Sequence, residues 1–228
     1  MQYSISVMSV QIVKVKEDIL QNNNENANEL RQFLKQKGIS FINVMASPGS
    51  GKTTLLTRLI NNLKPKYNIG VLEADIDGDL DALRISKNTG VRSIQVHTSG
   101  ACHLTAQMVS DALKEFDLSD INLIFLENVG NLVCPAEFDT GSNFNMMLLS
   151  VPEGHDKPLK YPLMFQVSKI AVITKIDTAP IFDFDFDKAE EYIHRRNKDA
   201  KVFKVSSVKN IGVKELTDYI DSLIKSNK

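Results

Sequence analysis

The chain alternates between short apolar runs and longer segments in which apolar residues recur every three or four positions. The short runs are rich in β-branched and aromatic residues and predict strands at 40–46, 68–75, 91–98, 121–127, 144–151, 169–175 and 201–206. The segments with helical periodicity predict helices at 52–63, 80–88, 103–116, 188–197 and 212–224. Because wholly apolar strands alternate with amphipathic helices, the pattern predicts an α/β fold with a mostly parallel sheet covered by helices on both faces.

A helical segment precedes this alternation. Residues 11–37 carry apolar positions at helical spacing and are followed by Gly38, a typical residue for a helix C-cap. The asparagine-rich stretch 21–28 predicts a break in this helix, because asparagine is a poor helix former. We therefore predict an N-terminal helical arm at 1–38 and an α/β domain at 39–228.

Composition argues against several classes of protein. The 228 residues, of which 43% are hydrophobic and 24% charged, are typical of one globular domain with a small addition. A net charge of −1 gives no basic surface field for nucleic acid or an anionic membrane. No apolar run approaches the ~18 residues that span a bilayer, and the N-terminus lacks a charged lead-in and a cleavage site. We therefore expect a cytoplasmic protein, in which a structural disulfide between Cys102 and Cys134 is not expected.

The stretch ASPGSGKT at 46–53 lies between a predicted strand and a predicted helix, where a phosphate-binding loop has to lie. Glycines permit the tight turn in which backbone N–H groups point at phosphate oxygens, and the helix N-terminus adds its positive end. Lys52 would reach the β- and γ-phosphates, and the Thr53 hydroxyl would bind Mg²⁺. Ala46 stands where this pattern usually opens with glycine. The motif predicts a P-loop NTPase whose nucleotide contacts are Gly49, Ser50, Gly51, Lys52, Thr53 and Thr54.

The stretch TKID at 174–177 indicates the base. It resembles the N-K-x-D motif of GTPases, in which the carboxylate, here Asp177, accepts hydrogen bonds from guanine N1–H and the exocyclic amine. Adenine offers neither donor, so it would leave a charged acceptor unpaired, at a cost on the order of 1.5–3 kcal/mol. Lys175 would lay its alkyl stem over the ring, and Thr174 in place of asparagine is expected to lose one contact to the phosphate loop. Two serines after the next strand, Ser206 and Ser207, would touch the guanine edge, so GTP and GDP are favoured over ATP.

Two acidic residues close predicted strands, Asp75 and Glu127. The carboxyl ends of parallel strands share one edge of the sheet, so both should face the γ-phosphate and complete a Mg²⁺ site with Thr53. The stretch ENVG at 127–130 resembles the D-x-x-G switch, in which the N–H of Gly130 would contact the γ-phosphate and order the loop in the GTP state. The predicted catalytic set is therefore Lys52, Asp75, Glu127 and Gly130. No water-activating glutamine or arginine finger is evident, so slow hydrolysis is expected.

A possible second metal site comes from two cysteines and a histidine. Cys102 and His103 are expected to open the helix after the third strand, and Cys134 follows Glu127 by seven residues, within a reach of about 24 Å. Two thiolates and an imidazole suit Zn²⁺, Ni²⁺ or copper, with the fourth place taken by water or by a second subunit. On these residues alone, the alternative is an inert core cysteine, a loop cysteine and a surface histidine.

The fragments SPGSGKT, CHL, ENVGNLVCP, LLSVPEG and KYP occur in the order typical of the HypB family, which the chain resembles over about residues 40–225. That family consists of GTPases that assist nickel insertion into nickel–iron hydrogenase. The resemblance implies a SIMIBI-class P-loop GTPase that forms a GTP-dependent homodimer, with a nickel or zinc site at the dimer interface built from Cys102, His103 and Cys134. It also implies work with a HypA-type metallochaperone and delivery to the hydrogenase large subunit. The chain differs from many relatives in lacking an N-terminal cysteine-rich motif or histidine-rich tract, and in having Ser99 where glycine is usual.

Three other functions stay open on the sequence. A GTP-dependent nickel factor for urease belongs to a related family, which carries Cys-Pro-His where this chain has Cys102 next to His103. A P-loop small-molecule kinase is disfavoured by Lys175 and Asp177, and a panel of guanine and adenine nucleotides would distinguish it. A regulatory GTPase without a metal would leave Cys134 without a role in metal binding.

Overall fold

The computed structural model describes residues 15–75, 80–98 and 100–227. Its centre is a seven-stranded sheet with the strand order β3-β2-β4-β1-β5-β6-β7, and the strand pairs are all parallel. The strands are β1 (Ser40–Ala46), β2 (Ile69–Asp75), β3 (Arg92–His97), β4 (Leu123–Glu127), β5 (Phe144–Ser150), β6 (Ile170–Thr174) and β7 (Lys201–Val205). The predicted α/β fold with a parallel sheet is confirmed.

Nine helices are described. They are α1 (Val15–Gln36), α2 (Lys52–Leu63), α3 (Leu80–Thr89), α4 (Ala106–Lys114), α5 (Cys134–Glu137), α6 (Lys157–Lys160), α7 (Pro162–Gln166), α8 (Phe186–Arg196) and α9 (Val213–Ser226). Two short 3-10 turns, Val151–Glu153 and Ile176–Ile181, follow β5 and β6. Among the described residues, no helix is both long enough and apolar enough to cross a bilayer.

Alternation along the central strand shows how the two faces of the sheet are covered. Ile42 and Val44 of β1 belong to a buried cluster with the apolar residues of α2 and α9. Phe41, on the opposite face, packs with residues of α1 and α4, and Met45 packs with residues of α7 and α8. Because side chains alternate between faces along a strand, one wholly apolar strand supplies cores on both sides.

The predicted break in the first helix is wrong, because α1 is continuous through the asparagine-rich stretch. Asn23 is only 4% exposed, accepts a hydrogen bond from the Ala106 amide (2.9 Å) and donates one to the Asp139 carbonyl (2.9 Å). Tertiary contacts therefore override the low helix propensity of asparagine. The helix ends at Gln36, and Gly38, the residue predicted to cap it, follows with a φ of +69°. Residues 1–14 of the predicted arm lie outside the described residues.

The helix after β3 begins later than the periodicity predicts. The Thr105 hydroxyl caps it by accepting from the Met108 amide (3.3 Å), and the first helical residue is Ala106. Cys102 and His103 therefore lie in the turn before α4 and not in its first helical turn.

Candidate functional site

The loop between β1 and α2 has the geometry of a phosphate-binding loop. Gly49 and Gly51 have φ angles of +73° and +93°, in the left-handed region that favours glycine, and Gly51 is the N-cap of α2. Lys52 is the first residue of α2, so the helix N-terminus and the loop amides meet at one place. The structure therefore places a tight glycine turn directly before the N-terminus of α2, where the motif predicts a phosphate-binding loop.

The end of β6 holds this loop from one side. The Thr174 hydroxyl donates to the Ser50 carbonyl (2.8 Å), and the Lys175 ammonium donates to the Gly49 carbonyl (2.7 Å). Thr174 thus contacts the phosphate loop through its hydroxyl, at the position where asparagine is usual. Lys175 itself is in the left-handed region with φ 57°, where a non-glycine residue is uncommon.

Beside this contact lies a cavity of about 190 Å³ that has the residues predicted to read the base along its wall. Its lining includes Thr54, Lys175, Asp177 and Ser207. The Ser206 hydroxyl next to Asp177 holds the pKa of that carboxyl below its ordinary value, so the group is an ionised acceptor at neutral pH. The cavity can thus offer a stacking surface and a carboxylate to a flat base with two donors.

The acidic end of β4 lies next to the phosphate loop. The Thr53 hydroxyl donates to Glu127 Oε1 (2.8 Å), and Glu127 is 2% exposed. These oxygen donors fit Mg²⁺, which prefers oxygen ligands. Asp75 ends β2, but its side chain lies outside the description. Glu73, two residues earlier and 3% exposed, is the register partner of Glu127, and we did not select it from the sequence.

Gly130 packs against the phosphate loop. A Cβ atom added to it would lie 3.0 Å from Pro48 Cγ and 3.1 Å from Pro48 N, closer than side chains ordinarily approach. The lack of a side chain at Gly130 therefore allows the chain after Glu127 to lie directly on this loop. We call residues 128–143, which continue from there, the Cys134 segment.

A chain of buried amides joins both ends of the Cys134 segment. Asn128 donates to the Asn43 side chain of β1 (3.0 Å), and Asn43 donates to the Asn145 side chain of β5 (3.0 Å). The Ser142 hydroxyl also donates to Asn145 (3.0 Å). These contacts fix where the segment leaves the sheet and where it returns.

Cys134 is the first residue of α5, and the segment brings it to the two residues before α4. The Sγ atoms of Cys102 and Cys134 are 2.7 Å apart, and Cys102 Sγ is 3.7 Å from His103 Nδ1. One ligand atom from each of the three residues lies within 4.8 Å of the others, and all three side chains are half-buried. Two sulfurs and an imidazole nitrogen gathered in one place are a donor set that suits Ni²⁺ or Zn²⁺.

The surroundings of this cluster affect its protonation. Burial lowers the pKa of His103 against the opposing effect of Glu137, so its imidazole is neutral and able to bind a metal at neutral pH. The hydrogen bond with Cys102 raises the pKa of the Cys134 thiol, and burial adds to this. The His103 ring also stacks on Phe138, with centroids 3.7 Å apart, which fixes its orientation.

Glu153 is a further polar residue of the site that the sequence did not point out. It ends the 3-10 turn after β5 and accepts hydrogen bonds from the Ser47 and Ser50 side chains of the phosphate loop (2.5 and 2.9 Å). The fragment LLSVPEG contains it, but nothing in those letters places it under a loop a hundred residues earlier in the chain.

Comparison with known proteins gives one consistent family. The model of the CobW/HypB/UreG nucleotide-binding domain matches residues 40–204. The hydrogenase maturation factor HypB of Azotobacter chroococcum mcd 1 is 43% identical over 210 residues, which are 92% of this chain and 68% of that protein. The hydrogenase/urease maturation factor HypB of Helicobacter hepaticus is 39% identical over 222 residues, 96% of this chain and 89% of that protein. The crystal structure of HypB from Helicobacter pylori in complex with nickel superimposes with a TM-score of 0.84 at 36% identity, covering 90% of this chain and 96% of that one.

Proposed function

The chain belongs to the CobW/HypB/UreG family and, within it, to the HypB hydrogenase maturation factors, and we propose that it is a GTP-hydrolysing metallochaperone. In this proposal GTP binding and hydrolysis are coupled to nickel delivery for the maturation of nickel–iron hydrogenase. The observation that carries it is the course of the Cys134 segment, which lies on the phosphate loop at Gly130 and brings Cys134 to Cys102 and His103. One stretch of chain thus meets both the nucleotide and the metal ligands.

The base cavity supports GTP as the nucleotide. Asp177 is an ionised acceptor that guanine can satisfy with two donors, whereas adenine would leave it unpaired. The Lys175 stem and Ser207 line the same cavity. The phosphates would occupy the loop between β1 and α2, where Lys52 reaches the β- and γ-phosphates.

Hydrolysis needs Mg²⁺, which supplies neutralisation of the phosphate charge. Thr53 and Glu127 would hold it, and Asp75 at the end of β2 is proposed as the third residue. Gly130 would offer its N–H to the γ-phosphate and so report whether that phosphate is present. With no water-activating glutamine evident in the sequence, we expect slow turnover unless a second subunit contributes a residue.

Nickel is the cargo of the Cys102, His103 and Cys134 site, and zinc fits the same donors. Three protein ligands leave a coordination place open, which suits a site that has to receive and release its ion. A second subunit in a GTP-dependent homodimer could fill that place. The proposed donor is a HypA-type metallochaperone and the recipient is the hydrogenase large subunit, all within the cytoplasm.

Nickel affinity measured in two nucleotide states tests this function. The wild-type protein with GDP or with a non-hydrolysable GTP analogue is titrated with Ni²⁺, beside Cys134→Ala and a control, His155→Ala, whose histidine lies outside the cluster. We expect different nickel affinities in the two states, a loss of at least tenfold in Cys134→Ala and wild-type behaviour in the control. Equal affinities in both states would contradict the coupling, and unchanged binding by Cys134→Ala would contradict the ligand set.

The same protein can also be tested against the alternatives. The Helicobacter hepaticus relative carries the name of a hydrogenase/urease factor, so nickel transfer should be assayed with both apo-hydrogenase large subunit and apo-urease. Preference for adenine nucleotides in a binding panel, or phosphate transfer to a small molecule, would instead support a P-loop kinase.

A further inference from the structure

Glu153 is placed where it can control the shape of the phosphate loop. It closes the 3-10 turn Val151–Glu153, and with Ser150 it forms a capping box at the end of β5. β5 is the neighbour of β1 in the sheet, so this turn and the phosphate loop both leave the same edge side by side. No step of the proposed function uses this carboxylate.

Four hydrogen-bond donors surround the carboxylate. Oε1 accepts from the Ser47 hydroxyl (2.5 Å), and Oε2 accepts from the Ser50 hydroxyl (2.9 Å), the Ser150 hydroxyl (2.7 Å) and the Ser150 amide (3.0 Å). The Ser50 hydroxyl also lies 2.9 Å from the Ser47 carbonyl, so its one proton is shared between that carbonyl and Glu153. Among the residues that the structure describes, these donors are three serine hydroxyls and one amide, without a cation.

The set of donors keeps Glu153 ionised. Burial alone would raise the pKa of this carboxyl, but the hydrogen bonds from Ser47, Ser150 and Ser50 outweigh it and hold the pKa below its ordinary value. A glutamine in the same place has only one oxygen, and its NH₂ group would face a hydroxyl that now donates. A carboxylate accepts from all of these donors as they stand, whereas a glutamine would need one hydroxyl to turn and accept instead.

Two of the donors are residues of the loop itself. Ser47 and Ser50 are the two ends of the turn that contains Gly49, where the Ser50 amide reaches the Ser47 carbonyl (3.4 Å). From the opposite side Thr174 and Lys175 hold the carbonyls of Ser50 and Gly49. The loop is thus held through its side chains from one flank and through its carbonyls from the other.

We propose that Glu153 is a positioning residue of the nucleotide site, whose ionised carboxylate holds Ser47 and Ser50 so that the phosphate loop has its binding shape before the nucleotide arrives. Preorganisation of this kind increases affinity, because the ordering cost is not met at the moment of binding. The proposal rests on the proposed function, in which this loop binds a guanine nucleotide. Glu153 has no contact with the reacting atoms in this role.

Binding of a fluorescent GDP derivative with Mg²⁺ tests the role in the full-length protein. Glu153→Gln should weaken GDP binding by about ten- to a hundredfold, as the loss of hydrogen bonds to a charged group implies, while Glu153→Asp recovers part of the loss. Ser47→Ala should weaken GDP binding less than Glu153→Gln does. In the double variant it should add nothing, because both changes remove the same Ser47–Glu153 hydrogen bond. Glu191→Gln, a change at an exposed carboxylate of α8, is the matched control and should bind as the wild type does.

Steady-state kinetics distinguish positioning from a general structural role. Glu153→Gln should raise KM for GTP while kcat stays within about twofold, whereas a general loss of folded protein would lower kcat with KM unchanged. If Glu153→Gln does not fold, Ser47→Ala decides, since it removes a single hydroxyl. If Glu153→Gln binds GDP with wild-type affinity, the positioning role is wrong while the proposed function stands. The same conclusion follows from wild-type affinity in Ser47→Ala if Glu153→Gln does not fold. A wild-type protein that binds no guanine nucleotide would overturn the proposed function and this role with it.

Discussion

Asp177 is the residue on which the proposed choice of guanine depends. Its carboxylate lies at the wall of a cavity that also contains the stem of Lys175, and the Ser206 hydroxyl keeps its pKa below the ordinary value. An aspartate with a lowered pKa stays ionised down to below the ordinary value of about 3.9. Base selectivity should therefore be the same at pH 8 and at pH 5, as far as this group is concerned.

Asp177→Asn should change the preferred base from guanine to xanthine. The asparagine amide puts an N–H donor where guanine presents its own donors, so GDP affinity should fall by about ten- to a hundredfold. Xanthine carries an oxygen in place of the exocyclic amine and should bind the variant better than guanine does. Titration with fluorescent derivatives of GDP and of xanthosine diphosphate measures the two affinities. Asp218→Asn, on the exposed face of α9, is the control. Undiminished GDP binding by Asp177→Asn would show that this carboxylate does not read the base.

Sequence reasoning at the residue scale succeeded where a local motif carries the chemistry. The glycines of the phosphate loop could be predicted because a strand–turn–helix with Lys52 and Thr53 requires left-handed backbone. Gly49 and Gly51 do have left-handed φ angles. Glu153 could not be chosen, because its contacts to Ser47 and Ser50 cross a hundred residues of chain. An acid after a strand gives no signal of which neighbouring loop it will meet.

The first helix shows what decides at the scale of an element. Its asparagine-rich middle has low intrinsic helix propensity, yet α1 is continuous because Ala27, Leu30 and Leu34 are buried and Asn23 pairs with two backbone groups. Most helical stability in proteins comes from packing of one face and not from propensity. The same lesson applies to α4, whose start is set by the Thr105 cap and not by the first apolar residue of the periodic pattern.

Asn23→Ala tests whether these contacts hold α1 in place. The change leaves the Ala106 amide and the Asp139 carbonyl without their partner, which should lower the free energy of unfolding by about 1–3 kcal/mol. Asn24→Ala is the matched control, because Asn24 is exposed on the same helix and alanine is the better helix former. Denaturant unfolding of both variants gives the comparison. Equal stability of the two would mean that Asn23 contributes no more than an exposed asparagine.

At the scale of the whole molecule, parallel strands bring the separate motifs to one edge. β1, β4, β5 and β6 are neighbours, and the phosphate loop, Glu127, Glu153 and Lys175 follow their carboxyl ends. The residues proposed to bind nucleotide and metal share this edge because the Cys134 segment starts there and is held at both ends by side-chain amides. In the proposed function, coupling between the two sites is a property of this one segment, and it has to be reciprocal at equilibrium.

Gly130→Ala should reduce that coupling. The added methyl meets Pro48 and moves the Cys134 segment away from the phosphate loop, so the ratio of nickel affinities between GTP-analogue and GDP states should approach one. In the wild type we expect a ratio of about 5 to 150, and nickel should change the affinity for the GTP analogue by the same factor. Competition with a chromophoric chelator measures nickel, and Pro48→Ala in the same chain should restore part of the ratio. If the ratio of nickel affinities in Gly130→Ala equals that of the wild type, Gly130 has no role in coupling the two sites.

The sequence by itself determined the α/β class, the order of the strands along the chain and the glycine turn before α2, since each depends on periodicity or on a few adjacent residues. Only the tertiary structure decided that α1 is unbroken, that Cys102 and His103 precede their helix, and that Glu153 and Glu73 lie beside the phosphate loop and Glu127. The physical reason is the separation, along the chain, of the residues that interact. Hydrophobic period and turn chemistry act between near neighbours in the chain, whereas buried hydrogen bonds and strand register join residues that the sequence keeps tens of positions apart.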